Sequence, residues 1–227
     1  MVVLASYPRS GNTFFRLVAR LLFSLGSEEG YEFHINTEGM GKSRLRLIQL
    51  LGNLPPEDGA TPPQTSLRKT HDLPVPDDGR PAIYLVRDGR DAYVSFAHFL
   101  QTHFPDPWKG MSYLDALRAV VSQPDYFGGW SQNVHAWTSR RAPTAIVRFE
   151  ELIADPSAVV AAACRQVGLA LPQAAQASPL FNELSEQWPE MFRRGKVGGW
   201  RDEMPPEVEE LFWSHHGEMM TQLGYPR

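Results

Sequence analysis

One cysteine, Cys164, stands among 227 residues, so the chain cannot close a disulfide within itself, and a reducing, cytoplasmic setting is expected. Positive charge is not in excess either: 22 Lys and Arg against 26 Asp and Glu give a net charge of −4. That balance argues against a general nucleic-acid binder, while leaving room for a local basic pocket. No apolar run reaches membrane-spanning length; Leu17–Leu25 is short and interrupted by Arg20. The first apolar residues follow no basic cluster, so a signal peptide is not expected. Repeats, low-complexity tracts and a dimer motif near the C-terminal residues are missing as well. With 42% hydrophobic and 21% charged residues, the composition is that of an ordinary globular protein. The length suits one α/β domain over 1–227 with a sizeable core.

What is present centres on Tyr7-Pro8-Arg9-Ser10-Gly11-Asn12-Thr13-Phe14. Before it, Val2–Ser6 reads as a buried strand; after it, Phe14–Leu25 carries apolar residues at helical spacing, with Arg16 and Arg20 assigned to the opposite face. A strand-to-helix turn presents the unpaired N–H groups of a helix start, which is an anion site. Gly11 lets the backbone approach a ligand, Ser10 and Thr13 add hydroxyls, and Arg9 adds charge.

Further along, Gly26–Gly30 reads as a loop, Lys42–Leu51 as a helix and Asn53–Thr65 as a Pro/Gly-rich connector. Strands are expected at Ser66–His71, Ala82–Val86 and Ala145–Val147. Helices are expected from Gly89 to about Leu100 and at Tyr113–Ser122, Gly129–Ser139, Ser157–Val167 and Pro206–Leu223. Alternating strands and helices give an α/β protein with a mainly parallel central sheet flanked by helices on both faces. Gly39-Met40-Gly41-Lys42-Ser43 ends like a nucleotide-binding Walker A loop, but Asn36 stands where that loop needs its first glycine.

Three more segments carry chemistry. In Arg68-Lys69-Thr70-His71, the period-two alternation of a strand points Lys69 and His71 the same way, a cation and a base for transfer to a hydroxyl. Arg87 follows the strand Ala82–Val86 at its carboxyl end, where open α/β sheets place ligands, and Ser95 lies two turns into the next helix. Phe192-Arg193-Arg194-Gly195-Lys196 gathers four cations with Arg201 close behind Trp200.

These motifs resemble, in order, those of the cytosolic-type sulfotransferases, which transfer a sulfuryl group from 3′-phosphoadenosine 5′-phosphosulfate (PAPS) and release 3′-phosphoadenosine 5′-phosphate (PAP). The resemblance runs from Val2 to about Trp200 and suggests a short, bacterial-type member with a P-loop-NTPase-like fold. It implies that Arg9, Ser10, Gly11, Asn12, Thr13 and Phe14 form the 5′-phosphosulfate loop, with Arg9 where the family usually has Lys and Phe14 where it has Trp. It makes His71 the catalytic base, with Lys69 and Arg9 acting on the sulfonate and leaving oxygen. Arg87, Ser95, Arg193, Arg194 and Gly195 would hold the 3′-phosphate, and Phe149 would contact adenine, with Phe181 as a second ring. Trp130 and Trp137 are expected in the core and His135 at the surface; Gly199 replaces the usual Asp. No metal is implied, and no membrane partner.

The acceptor would be a small molecule, with aromatics in 31–66 and 98–126 (Tyr31, Phe33, Phe99, Phe104, Trp108, Tyr113, Tyr126 and Phe127) favouring an apolar or ring-bearing one. The competing functions are a P-loop-type small-molecule kinase and a non-catalytic PAP- or nucleotide-binding module. The first needs a metal, and the second has no use for His71.

Overall fold

A computed structural model of the chain describes residues 1–30, 42–52, 65–122, 127–171, 181–189 and 192–227. Strand β1 (Val2–Ser6) leads into helix α1 (Asn12–Phe23), strand β2 (Gly26–Glu29), helix α2 (Lys42–Leu50) and strand β3 (Thr65–Thr70). Strand β4 (Ala82–Val86) is followed by α3 (Gly89–His103), α4 (Tyr113–Ser122) and α5 (Gly129–Thr138). Strand β5 (Thr144–Arg148) precedes α6 (Phe149–Ala154), α7 (Pro156–Gln166), α8 (Phe181–Gln187) and α9 (Pro206–Gln222).

The described strands form one sheet in the order β2-β3-β1-β4-β5, and every neighbouring pair is parallel. β1 lies at the centre, buried at all five positions, which is why it reads as an unbroken apolar run. Period-two alternation sends its side chains to two separate cores. Val2 and Leu4 join Ile83, Leu85, Val147 and the α1 and α7 residues on one face. Val3 and Ala5 join Tyr84, Trp130, Val134 and Phe212 on the other. From β1 the chain passes outward to β2 and returns to β3, whereas β4 and β5 lie on the opposite side. The carboxyl end of β1 is therefore a topological switch point, where α/β sheets open a crevice.

Three sequence expectations are corrected. Gly26–Glu29, expected as loop, is the edge strand β2. Its residues have no apolar alternation, and what makes it a strand is backbone pairing to β3. Arg16, assigned to the outer face of α1, is 2% exposed. Its guanidinium reaches Ser27 Oγ (2.8 Å), Glu29 Oε1 (2.7 Å) and the Leu51 carbonyl (2.7 Å), so burial is offset by ionic and hydrogen-bonding partners. Of residues 98–122, expected among the acceptor loops, α3 runs on to His103 past its expected end near Leu100, a 3₁₀ turn lies at Trp108–Gly110, and α4 is the helix expected at Tyr113–Ser122. The glycines of the Walker-like stretch, together with Tyr31, Phe33 and Tyr126 and the side chain of Phe181, lie outside the described residues. Among those described, no helix is long and apolar enough to cross a membrane.

Candidate active site

The turn between β1 and α1 is built around Gly11, which has φ +99°. A Cβ there would lie 2.7 Å from Cδ2 of Phe149, so both the left-handed backbone and the space exclude a side chain. Arg9 is also left-handed, at φ 65°. Ser10 is 1% exposed, and its Oγ has no hydrogen-bond partner. A buried hydroxyl left unpaired inside an anion-type turn fits a ligand oxygen, because an unmet donor is otherwise costly. Asn12 instead turns inward, its Nδ2 donating to the Leu4 carbonyl and Ser6 Oγ at 3.3 Å each, and so ties the turn to β1. Thr13 is half-buried, and Phe14 is packed at 1% exposure with its ring edge-on to Phe192 at 6.4 Å.

His71 sits just past β3, on the neighbour of β1. Its Nδ1 lies 2.7 Å from the carbonyl oxygen of Ser6, the last residue of β1 before the turn. A carbonyl only accepts, so Nδ1 carries the proton and Nε2 keeps the lone pair. Burial, and then the charge of Lys69, lower the His71 pKa to about 3, which keeps the ring neutral at pH 7. Phe127 packs edge-on against the ring, 5.6 Å between centroids. Lys69 Nζ is 2.9 Å from Glu29 Oε2, and Glu29 also holds Arg16. Burial pushes the Glu29 carboxyl up, but Arg16 and Lys69 outweigh it and bring it down to about 2.

A second group of cations gathers at the ends of β4 and α3. Arg87 Nη1 donates to the Arg9 carbonyl (3.1 Å) and Nη2 to the Lys196 carbonyl (3.2 Å), while its Nε is buried without a partner. Its guanidinium lies 4.2 Å above the Phe149 ring, and Phe149 is 3% exposed. Arg9 Nε donates to Ser95 Oγ at 3.1 Å, and Arg9 Cζ lies 4.9 Å from the Phe99 ring centre. Burial, with Arg87 and Arg193 nearby, lowers the Arg9 guanidinium to about 10. Arg87, Arg9 and Arg193 thus converge, and desolvated like charges held together favour an anion. Arg90, one turn further, is unrelated to this cluster. It is fully buried, paired with both Asp88 oxygens (3.1 and 2.9 Å) and stacked on Trp200 at 3.8 Å, a structural ion pair.

The segment with Arg193, Arg194 and Gly195 is pinned over the cluster by Asp91 of α3, whose carboxylate accepts from Gly198 N (2.7 Å) and Trp200 N (2.8 Å). A Cβ at Gly199 would lie 3.7 Å from Asp91 Oδ1. An Asp in that position would set a second carboxylate beside the first, so glycine leaves the backbone to Asp91. Arg193 and Arg194 both pair with Glu203.

Several positioning residues escaped the sequence. Asn133 of α5, fully buried, accepts from Tyr84 Oη (2.9 Å) and donates to the carbonyls of His71 (2.9 Å) and Phe127 (3.1 Å). Trp137 Nε1 donates to the Asp72 carbonyl (2.9 Å), and Trp130 Nε1 to that of Arg87 (3.1 Å). The two tryptophans are core residues, as expected, and also clamp the backbone on either side of the site; His135 is exposed. Asn133 lies in the segment Trp130–Trp137, and an amide between two tryptophans was the available signal.

A parallel α/β crevice with an anion turn, a neutral imidazole and converging arginines fits a polyanionic, group-donating ligand. The chain belongs to the sulfotransferase domain family, whose match spans residues 1–224. It is 22% identical to Sulfotransferase 1A1 of Bos taurus over 261 aligned residues, covering 97% of this chain and 83% of that one. Sulfotransferase 1E1 of Mus musculus is 23% identical over 254, covering 96% and 83%. Among solved structures, retinol dehydratase in complex with androsterone and inactive cofactor PAP matches at TM-score 0.63 and 18% identity, over 96% of this chain and 80% of that one. Mouse sulfotransferase SULT7A1 complexed with PAP matches at 0.60 and 16%, over 96% and 83%. At those identities the structural likeness establishes a shared fold.

Proposed function

We propose that this protein transfers a sulfuryl group from PAPS to a hydroxyl of a small, apolar or ring-bearing acceptor, with 1–227 working as one domain. The observation that carries the reading is the hydrogen bond from His71 to Ser6, which sets a neutral base beside the anion turn. Ser10 Oγ and the N–H groups of the turn would hold the 5′-phosphate, with Gly11 allowing close approach. Arg87, through its unpaired Nε, would hold the 3′-phosphate with Ser95, Arg193, Arg194 and the Gly195 amide. Phe149, packed beside Gly11 and Arg87, would be the ring that contacts the adenine.

The donor supplies an activated phosphosulfate anhydride. His71 Nε2 takes the acceptor's proton as the acceptor oxygen bonds to sulfur; the bridging S–O bond breaks, its electron pair stays on the phosphate oxygen, and PAP leaves. Lys69 and Arg9 offset charge on the sulfonate and that oxygen. Both are held elsewhere in this structure, Lys69 by Glu29 and Arg9 by Ser95, so the reading requires each to turn toward the reacting atoms. Phe127 beside His71, and Phe99 with His103 stacked on it at 4.4 Å, support a ring-bearing acceptor. So does the presence of androsterone or retinol with PAP in the retinol dehydratase complexes.

Calorimetry with PAP, PAPS and ATP, followed by transfer of labelled sulfate from PAPS to a panel of phenols, sterols, alkyl alcohols and sugars, tests the proposal. Preference for PAP and label on a hydroxyl acceptor support it; preference for ATP with metal-dependent phosphoryl transfer favours a kinase, and PAP binding without transfer favours a binding module.

A further inference from the structure

Glu203 follows the covering segment at the point where a 3₁₀ turn, Gly199–Asp202, ends. Its carboxylate accepts from Arg193 Nη1 and Nη2 at 2.9 Å each and from Arg194 Nη1 at 2.7 Å. A fourth contact, at 2.7 Å, comes from Nε2 of His98, whose ring stacks on Tyr113 at 4.3 Å. Both terminal nitrogens of Arg193 are thus spent end-on on one carboxylate, the fork geometry that a phosphate also uses. Burial pushes the Glu203 carboxyl up, but Arg193 and His98 prevail and bring it down to about 2, so the group is an anion at neutral pH. A carboxylate with several charge-assisted partners thus holds two cations assigned to a phosphate.

We propose that Glu203 is a built-in anion that competes with the 3′-phosphate for Arg193 and Arg194, and so sets how tightly donor and product are held. The inference rests on the sulfotransferase reading above, because it takes those arginines as 3′-phosphate ligands. The partners of Glu203 do not include Arg87, whose Nη1 and Nη2 donate to backbone carbonyls while its buried Nε has no partner; Arg9 donates to Ser95. The 3′-phosphate is therefore first met by Arg87, and recruits Arg193 and Arg194 by displacing Glu203. PAP carries the same phosphate, so the competition weakens product as well as donor and favours release, a step that limits turnover in many enzymes. A neutral residue at 203 removes a like charge from the neighbourhood of a dianion and leaves two guanidiniums to it.

Isothermal titration of PAP and of adenosine 5′-phosphate, which lacks the 3′-phosphate, tests this on the wild type, Glu203→Gln and Glu203→Asp. The expected result is PAP binding about tenfold tighter in Glu203→Gln, from loss of one adjacent negative charge, with adenosine 5′-phosphate unchanged. Glu203→Asp keeps the charge and stays within about threefold of wild type. Unchanged adenosine 5′-phosphate binding shows at the same time that the pocket is folded. Weaker or equal PAP binding in Glu203→Gln overturns the proposal and makes Glu203 a support for the arginines. A wild type that binds the two nucleotides alike overturns the 3′-phosphate assignment, and this inference with it.

Discussion

His71 owes its character to two neighbours and to burial. The Ser6 carbonyl fixes the proton on Nδ1, burial holds the ring neutral, and Asn133 anchors its backbone carbonyl. A neutral imidazole whose Nε2 is unprotonated needs no pH adjustment to act as a base. Replacing His71 with Ala is expected to leave PAP binding, measured by calorimetry, near wild type. Labelled-sulfate turnover should fall by about 10²–10⁴-fold, the usual contribution of one positioned base. Near-normal turnover would remove His71 from the mechanism. At this scale the sequence displayed the residue types and their spacing along the chain. It did not display that Lys69 is strapped to Glu29, since that pair joins two strands and residues 40 positions apart in the chain.

Helix α3 delivers three groups on one side of the crevice: Asp91 to the covering segment, Ser95 to Arg9 and His98 to Glu203. Their spacing, four and then three residues, is one turn each, so a single helix face faces the segment at 192–203. Asp91 accepts two backbone N–H bonds there; burial raises its pKa, opposed by Arg87 and by those two bonds. Asp91→Ala should free that segment, weaken PAP binding by about tenfold, and leave the helix intact, as expected for loss of charge-assisted bonds of about 1.5–3 kcal/mol. Limited proteolysis within 193–198 that does not accelerate would show that other contacts hold the segment. The edge strand β2 belongs to this scale too. Gly-Ser-Glu-Glu has no period-two apolar signal, so only pairing with β3 identifies it.

Across the whole molecule, protonation couples the site to stability. His71 and His216 have folded pKa values lowered to about 3 and about 4, chiefly by burial. Below about pH 6.5 the unfolded chain takes up protons that the folded one refuses, so stability falls with pH from there to about pH 4. Glu29 and Glu203, lowered to about 2 when folded, add stability that is complete above the ordinary carboxylate range and lost as pH falls through it toward 2. Thermal melts from pH 8 to pH 4 should show a steady decline beginning near pH 6.5, and His216→Phe should reduce the slope in the histidine range. A melting temperature flat between pH 7 and pH 5 would contradict the assignment.

The sequence by itself determined the alternation of strands and helices, the turn at Arg9–Thr13, and the order of the cation-bearing segments. Those signals are local: apolar periodicity, a glycine that alone suits its backbone, and residue types set a few positions apart. Tertiary structure decided which charges meet. Arg16 was buried rather than exposed because Glu29 and Leu51 came to it, Arg90 became scaffold while Arg87 faced the crevice, and Glu203 closed on Arg193 and Arg194. An ion pair's strength depends on the distance and burial of partners far apart in the chain, and neither quantity exists until the sheet has assembled.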